Sequence, residues 1–300
     1  MAQPDTRPER RPEMPPETLT KLGENIEFTF IIFSALIFAI ELAEVFFKGS
    51  HKGKRLLEMV ASASTQIPYL VVEALILTGA YTLFYVFAYE NISWMMPLTW
   101  TTIALAVLVA DITYYWEHRI AHQVRILWTQ HAVHHSSRDF NIITGVRFGA
   151  LEGVWSILAH VPMIFMGFPP EAIFFGIITV LAYQTWIHTE TIGKLGPLEW
   201  ILNTPSHHRV HHGSDRKYLD KNYAGILIIW DRMFGSFQAE EETPRYGLTT
   251  DFDSQNPLRV WTSELPELGR DLKNAKSTSE VAGYLFKGPG WRPKKQTPAE

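Results

Sequence analysis

Residues 101–122 read TTIALAVLVADITYYWEHRIAH: an apolar run that turns aromatic and ends on two histidines, His118 and His122, four positions apart. On a helix that spacing sets both imidazoles on one face, with Cβ atoms roughly 5–6 Å apart, so two rings can point at one site. The stretch therefore predicts a helix apolar enough to enter a bilayer, with potential ligands at one end. Working outward, this run covers residues 95–116, and others cover 28–47, 67–89, 149–168 and 172–188. A spanning helix needs about 20 such residues. The expected fold is all-α, an integral-membrane helical bundle of about four to five spans. The first span is the weakest, because Glu41 and Glu44 interrupt it, and it either spans with those acids at the interface or lies shallow.

The junction Phe168-Pro169-Pro170 predicts a tight hairpin between the last two runs, since proline removes a backbone donor and stops the preceding helix. The turns at 91–94 and 169–170 carry no Lys or Arg, whereas Lys48, Lys52, Lys54, Arg55, Arg119, Arg125, Arg138 and Arg147 stand at the opposite ends. The positive-inside rule puts those ends in the cytoplasm, although Arg7, Arg10, Arg11 and Lys21 of the N-terminal segment count the other way. In that orientation residues 123–147 and everything after His188 form a cytoplasmic cap, in which the aromatic stretch 223–237 suits a packed helix. Residues 1–25, rich in Pro, Glu and Arg, read as a disordered tail without the pattern of a signal peptide. Residues 26–255 form the membrane domain, and 256–300 a polar, loosely ordered end.

Eleven of the twelve histidines lie between His118 and His212. The clusters are HxxxH (His118, His122), HxxHH (His131, His134, His135) and HxxHH again (His208, His211, His212), with His188 alone at the end of the last apolar run. Eight or nine imidazoles exceed one coordination sphere, since zinc takes four ligands and octahedral iron six, so the number implies two metal ions. Imidazole suits Fe, Zn and Cu alike, which leaves the metal open. Packing gives no reason to gather so many basic rings at one end of a bundle. His51 and His160 read as ordinary surface or core histidines, and His207 breaks the one-face pattern of its cluster.

Composition narrows the chemistry further. The chain has no cysteine, which excludes disulfides, thiolate-bound zinc and iron–sulfur clusters carried by this chain. A net charge of -4 gives no footprint for nucleic acid. No Gly-rich dinucleotide fingerprint is visible, so electrons for any redox step come from a separate donor. Asp111, Tyr115 and Glu190 are the candidate catalytic residues; Asp111 lies seven residues before His118 with Tyr114 or Tyr115 between them, and a carboxylate inside an apolar run is costly unless paired. The expected role of Asp111 is to accept a proton from a ligand imidazole or to order a water chain, fixing the ring's tautomer, against a plain hydrogen bond between helices. Glu190, close to His188, is either ligand support or a solvated loop acid. Two rival readings use the same residues. A metal transporter would need a path through the bundle, where only Asp111 and Glu73 lie well inside the runs. A zinc hydrolase would need a general base such as Glu190.

Across residues 111–247 these patterns resemble the fatty acid hydroxylase and sterol desaturase superfamily, whose members share HxxxH, HxxHH and HxxHH between membrane helices. More narrowly, residues 111–122, 131–141, 186–190, 220–230 and the string Asn203-Thr204-Pro205-Ser206-His207-His208-Arg209-Val210-His211-His212-Gly213 resemble its alkylglycerol monooxygenase branch. The resemblance implies two Fe ions held by the eight clustered histidines, with His188 and Glu190 in the same shell. It also implies O2-dependent hydroxylation or desaturation of a membrane lipid. The animal alkylglycerol monooxygenases use tetrahydrobiopterin; here tetrahydrobiopterin and an electron-transfer protein stand as alternative reductants. An O-alkyl glycerol is the first expected substrate class, with ornithine lipids, fatty acids and sterols as the others in the family.

Overall fold

The computed structural model describes residues 14–48 and 52–293, so His51, Arg7, Arg10 and Arg11 fall outside it. Helix α1 (Pro16–Lys48) runs unbroken for 33 residues. It is followed by α2 (Lys52–Ser64) and α3 (Gln66–Val72), and a π-helical turn at Glu73–Leu77 leads into α4 (Thr78–Glu90). Helices α5 (Trp100–Gln123) and α6 (Arg125–His135) meet at Val124, whose extended backbone breaks the helix. The hairpin of α7 (Glu152–Phe165) and α8 (Pro170–Gln184) turns through Gly167 in a left-handed conformation, φ 82°. Short helices α9 (Pro205–His211) and α10 (Ile229–Phe234) follow, then α11 (Pro257–Trp261), α12 (Leu265–Asn274) and α13 (Thr278–Phe286). Two isolated β-bridges, Leu202 with Leu227 and Gly213 with Tyr246, are the β-pairing among the described residues.

The apolar core lies where α4, α5, α7 and α8 meet, around Ala106, Ala110, Met163, Ile173 and Val180. Small residues let α5 and α8 approach closely: a Cβ on Gly176 would stand 2.9 Å from the Ala106 carbonyl oxygen. Among the described residues two helical stretches are long and apolar enough to cross a membrane, Glu17–Phe47 and Pro170–Ile187.

Several expectations change. The first apolar run, read as the weakest, forms the longest helix, and that helix begins inside the segment expected to be a disordered tail. Glu41 is buried within the protein, its carboxylate accepting the Thr189 hydroxyl and the Ile142 N–H (2.9 Å). Within the polar end expected to be loosely ordered, residues 257–286 carry the three helices α11–α13. This segment folds against α6 because Arg125, 1% exposed, needs an anion, and Asp271 of α12 supplies one at 2.6 Å. Most of residues 223–237 is loop, with only α10 helical.

Candidate metal centre

Nine imidazoles gather into two buried groups: His118, His122, His131, His135 and His211 in one, and His134, His188, His208 and His212 in the other. Within each group one ring nitrogen per residue lies within 4.8 Å of all the others. The assignment follows from helical geometry. At 3.6 residues per turn, position i+4 lies about 40° from i and position i+3 about 60° to the other side. On α6, His131 and His135 therefore share a group while His134 turns to the other. On α9 and its C-terminal cap, His208 and His212 share the second group while His211 crosses to the first. Each HxxHH motif thus serves both groups. The rings also touch across the divide, with His135 stacked on His212 at 4.3 Å between centroids.

The hydrogen bonds fix which nitrogen faces inward. Main-chain carbonyls can only accept, so His118 Nδ1 donates to Tyr223 (2.9 Å), His211 Nδ1 to Lys221 (2.9 Å), His134 Nδ1 to Arg147 (3.2 Å) and His188 Nδ1 to Gln184 (3.0 Å). His131 Nδ1 donates to Glu152 Oε1 at 2.6 Å. A neutral imidazole carries one N–H and one lone pair, so in the neutral form of each of the five the Nε2 atom is a bare acceptor. Yet Nε2 of His118 faces Nε2 of His131 at 3.0 Å, and Nε2 of His188 faces that of His134 at 3.1 Å. Two lone pairs at that distance repel, and a shared cation removes the conflict. Two imidazole nitrogens bound to one metal at about 2.0–2.1 Å and a right angle stand roughly 3 Å apart, so the donor set fits a metal. His122 Nε2 and His211 Nε2, both buried, have no other hydrogen-bond partner.

Electrostatics agree with that geometry. Burial first, and the facing imidazoles second, hold His118, His122, His134, His135, His208 and His212 well below the ordinary histidine range. Burial likewise pushes His211 down to about 3. For these seven rings the shift favours the neutral form, the one that binds metal.

A shell of buried polar groups holds the rings. Arg147, fully buried, donates to the Val133 carbonyl, to Ser136 and to Glu58 at 2.9 Å, tying α2 to α6 while its own carbonyl orients His134. Arg209 on α9 makes a paired contact with Glu240 (2.6 and 2.7 Å) and donates to the Thr189 and Ile192 carbonyls, fixing α9 against the loop after His188. Asp231 accepts the N–H groups of Tyr223 and Ala224, both at 2.8 Å, and so sets the carbonyl that orients His118. Gly145 packs so closely that a Cβ would stand 2.9 Å from His188 Nδ1.

The three remaining candidates sit elsewhere. Asp111 is buried, but its oxygens are taken by the N–H groups of Ile226 (2.6 Å) and Leu227 (3.1 Å) and by the Trp230 indole (2.8 Å); it ties α5 to the 226–230 turn and fixes no imidazole. The Tyr115 hydroxyl bonds Ser236 at 2.8 Å and accepts from Arg119, bracing the Asp231 turn. Glu190 is exposed and accepts the Tyr246 hydroxyl at 3.1 Å, with the Tyr246 ring and then Phe140 between it and His212. His207 belongs to neither group and packs on Phe237. Sequence reasoning missed Glu152 and the four carbonyls, for which no local pattern gives a signal.

Residues 103–236 match the family model described as fatty acid hydroxylase. Human alkylglycerol monooxygenase is 37% identical over 282 residues, 93% of this chain and 62% of that protein. The Xenopus tropicalis protein of the same name is 44% identical over 216 residues, 70% of this chain and 48% of its own length. An ornithine lipid hydroxylase, OlsE of Rhizobium tropici, is 32% identical over 137 residues, 45% of this chain and 41% of that protein. The chain thus spans about half to three-fifths of the length of the alkylglycerol monooxygenases it matches. No solved structure matches it. Residues 103–236, which contain all nine histidines of the two groups, carry the match to the fatty acid hydroxylase family.

Proposed function

We propose that the chain is a membrane-embedded di-iron monooxygenase that uses O2 to hydroxylate a lipid, with the carbon next to the ether oxygen of an O-alkyl glycerol as the site of attack. The observation that carries this reading is the pair of imidazole groups, whose facing lone pairs call for a cation in each. His118, His122, His131, His135 and His211 would hold one ion, and His134, His188, His208 and His212 the other. The bound ions supply the O2 chemistry that breaks the C–H bond.

The protein's own residues contribute position and exclusion of water. The carbonyls of Tyr223, Lys221, Arg147 and Gln184 keep the rings in one tautomer, so the inward nitrogens need no proton loss before binding. Glu152 holds the proton of His131 and raises its basicity as a ligand. Beside His118 and His131 lies a cavity of about 60 Å³ lined by Leu127, Leu151 and Trp155 together with Glu117 and Gln130, which gives part of a lipid room beside the first group. Lys and Arg at the histidine ends of the helices support a cytoplasmic site with its lipid entering from the bilayer. Electrons come from outside the chain, from reduced tetrahydrobiopterin or an electron-transfer protein.

The test is incubation of membranes holding the protein with 1-O-hexadecylglycerol, O2 and either reduced pterin or a ferredoxin system. Release of hexadecanal that disappears in His135→Ala supports the reading. Hydroxylated ornithine lipid in place of aldehyde moves the substrate to the class named in the Rhizobium relative.

A further inference from the structure

The cavity beside His118 and His131 has one wall that metal binding does not use. Glu117, on α5 immediately before His118, lines it and is 8% exposed. The Ser156 side chain hydrogen-bonds the carboxyl group, but its Oε2 is buried without a hydrogen-bond partner. The nearest cationic candidate, His160 Nδ1, stands 3.7 Å away and gives its proton to the Ser156 carbonyl at 2.9 Å. The Glu117 carbonyl holds the Trp155 indole at 3.1 Å, so the same residue also sets an apolar wall of the cavity. A buried carboxyl oxygen left unpaired costs free energy, and native structures seldom tolerate it without an occupant.

We propose that Glu117 is a specificity-determining residue whose Oε2 accepts a hydrogen bond from a free hydroxyl on the head group of the substrate lipid. The proposal rests on the lipid-oxidation reading above and deepens it. A hydroxyl a few bonds from the oxidised carbon can lie in the cavity while that carbon faces the His118 and His131 side, and a carboxyl acceptor there rejects a lipid lacking the hydroxyl because the oxygen stays unpaired. A glycerol ether carries such a hydroxyl; a simple dialkyl ether does not.

The experiment compares equilibrium binding of radiolabelled 1-O-hexadecylglycerol and of hexadecyl propyl ether, which keeps the ether and lacks both hydroxyls, to the purified metal-loaded chain in detergent. Wild type is expected to prefer the diol. Glu117→Leu should weaken the diol about tenfold to a hundredfold and the dialkyl ether little, while Glu117→Gln, which retains an amide oxygen, should keep most of the preference. Metal content and elution volume of each variant verify that the site is intact. A preference that survives Glu117→Leu overturns the assignment, as does equal binding of the two lipids by wild type, a result independent of how any variant folds. Hexadecanal formation in the same samples separates the two readings. Aldehyde formed with the preference intact in Glu117→Leu removes the role of Glu117 and leaves the function; diol preference lost in Glu117→Leu, without aldehyde from wild type, does the reverse.

Discussion

The two imidazole groups are built differently. Around His134, His188, His208 and His212 the shell is closed: main-chain carbonyls take the outer nitrogens of His134 and His188, Phe140 lies over His212, and Gly145 leaves no room beside His188. Around His118, His122, His131, His135 and His211 the shell includes a side-chain carboxylate, Glu152, and a cavity opens beside two of the rings. A carbonyl fixes a ring without changing charge, whereas a carboxylate adds charge and can be altered by one substitution. On the function proposed here, the closed group anchors one ion and the open group presents the other to the lipid.

The sharpest way to break this contrast is to remove ligands from each side. His135→Ala and His208→Ala are both expected to lower activity more than about a hundredfold, beyond the 10–100-fold typical of losing a group that only orients a ligand. Lipid turnover in membranes measures this, and retained turnover in either variant contradicts the ligand assignment. Next in size is Arg147→Ala. It leaves Glu58 buried without its cation and is expected to destabilise the fold by about 3–5 kcal/mol, read from denaturation in detergent. Because Arg147 also braces Val133 and Ser136 beside His134, the closed group should release its ion first.

Glu152→Gln sharpens the comparison from the open side. Metal affinity of the five-imidazole group is expected to fall about 10–100-fold, with the four-imidazole group unchanged, by competition against a chelator. Equal loss at both groups would mean that they do not act separately. The smallest effect is expected at His207→Ala, which should cost about 0.5–3 kcal/mol through lost packing on Phe237 and leave both ions in place.

The histidine spacing made the ligands readable because the 3.6-residue period turns sequence distance into direction. The all-α class and the α7–α8 hairpin were readable for similar reasons, from apolar runs and paired prolines. What was hidden comes from contacts between segments distant in sequence. Asp111 has the periodicity of a residue beneath His118, but the 226–230 turn fills the space between helices and takes both oxygens. Glu152 follows His131 by twenty-one residues, and only the fold brings it to Nδ1. The C-terminal helices were read as loose because their composition is polar, and the buried Arg125 that holds them lies far upstream, on α6. Charge pairing across such distances leaves no local trace.

The division of each HxxHH motif between two ions is tested most directly by metal analysis of the purified full chain as wild type, His134→Ala and His135→Ala. These neighbouring residues belong to different groups, so the two variants differ in which ion they release. Two ions per chain in the wild type are expected, with about one left in each variant: the one on the open side in His134→Ala and the one on the closed side in His135→Ala. A wild type that binds a single ion, or a variant that keeps both, would contradict it.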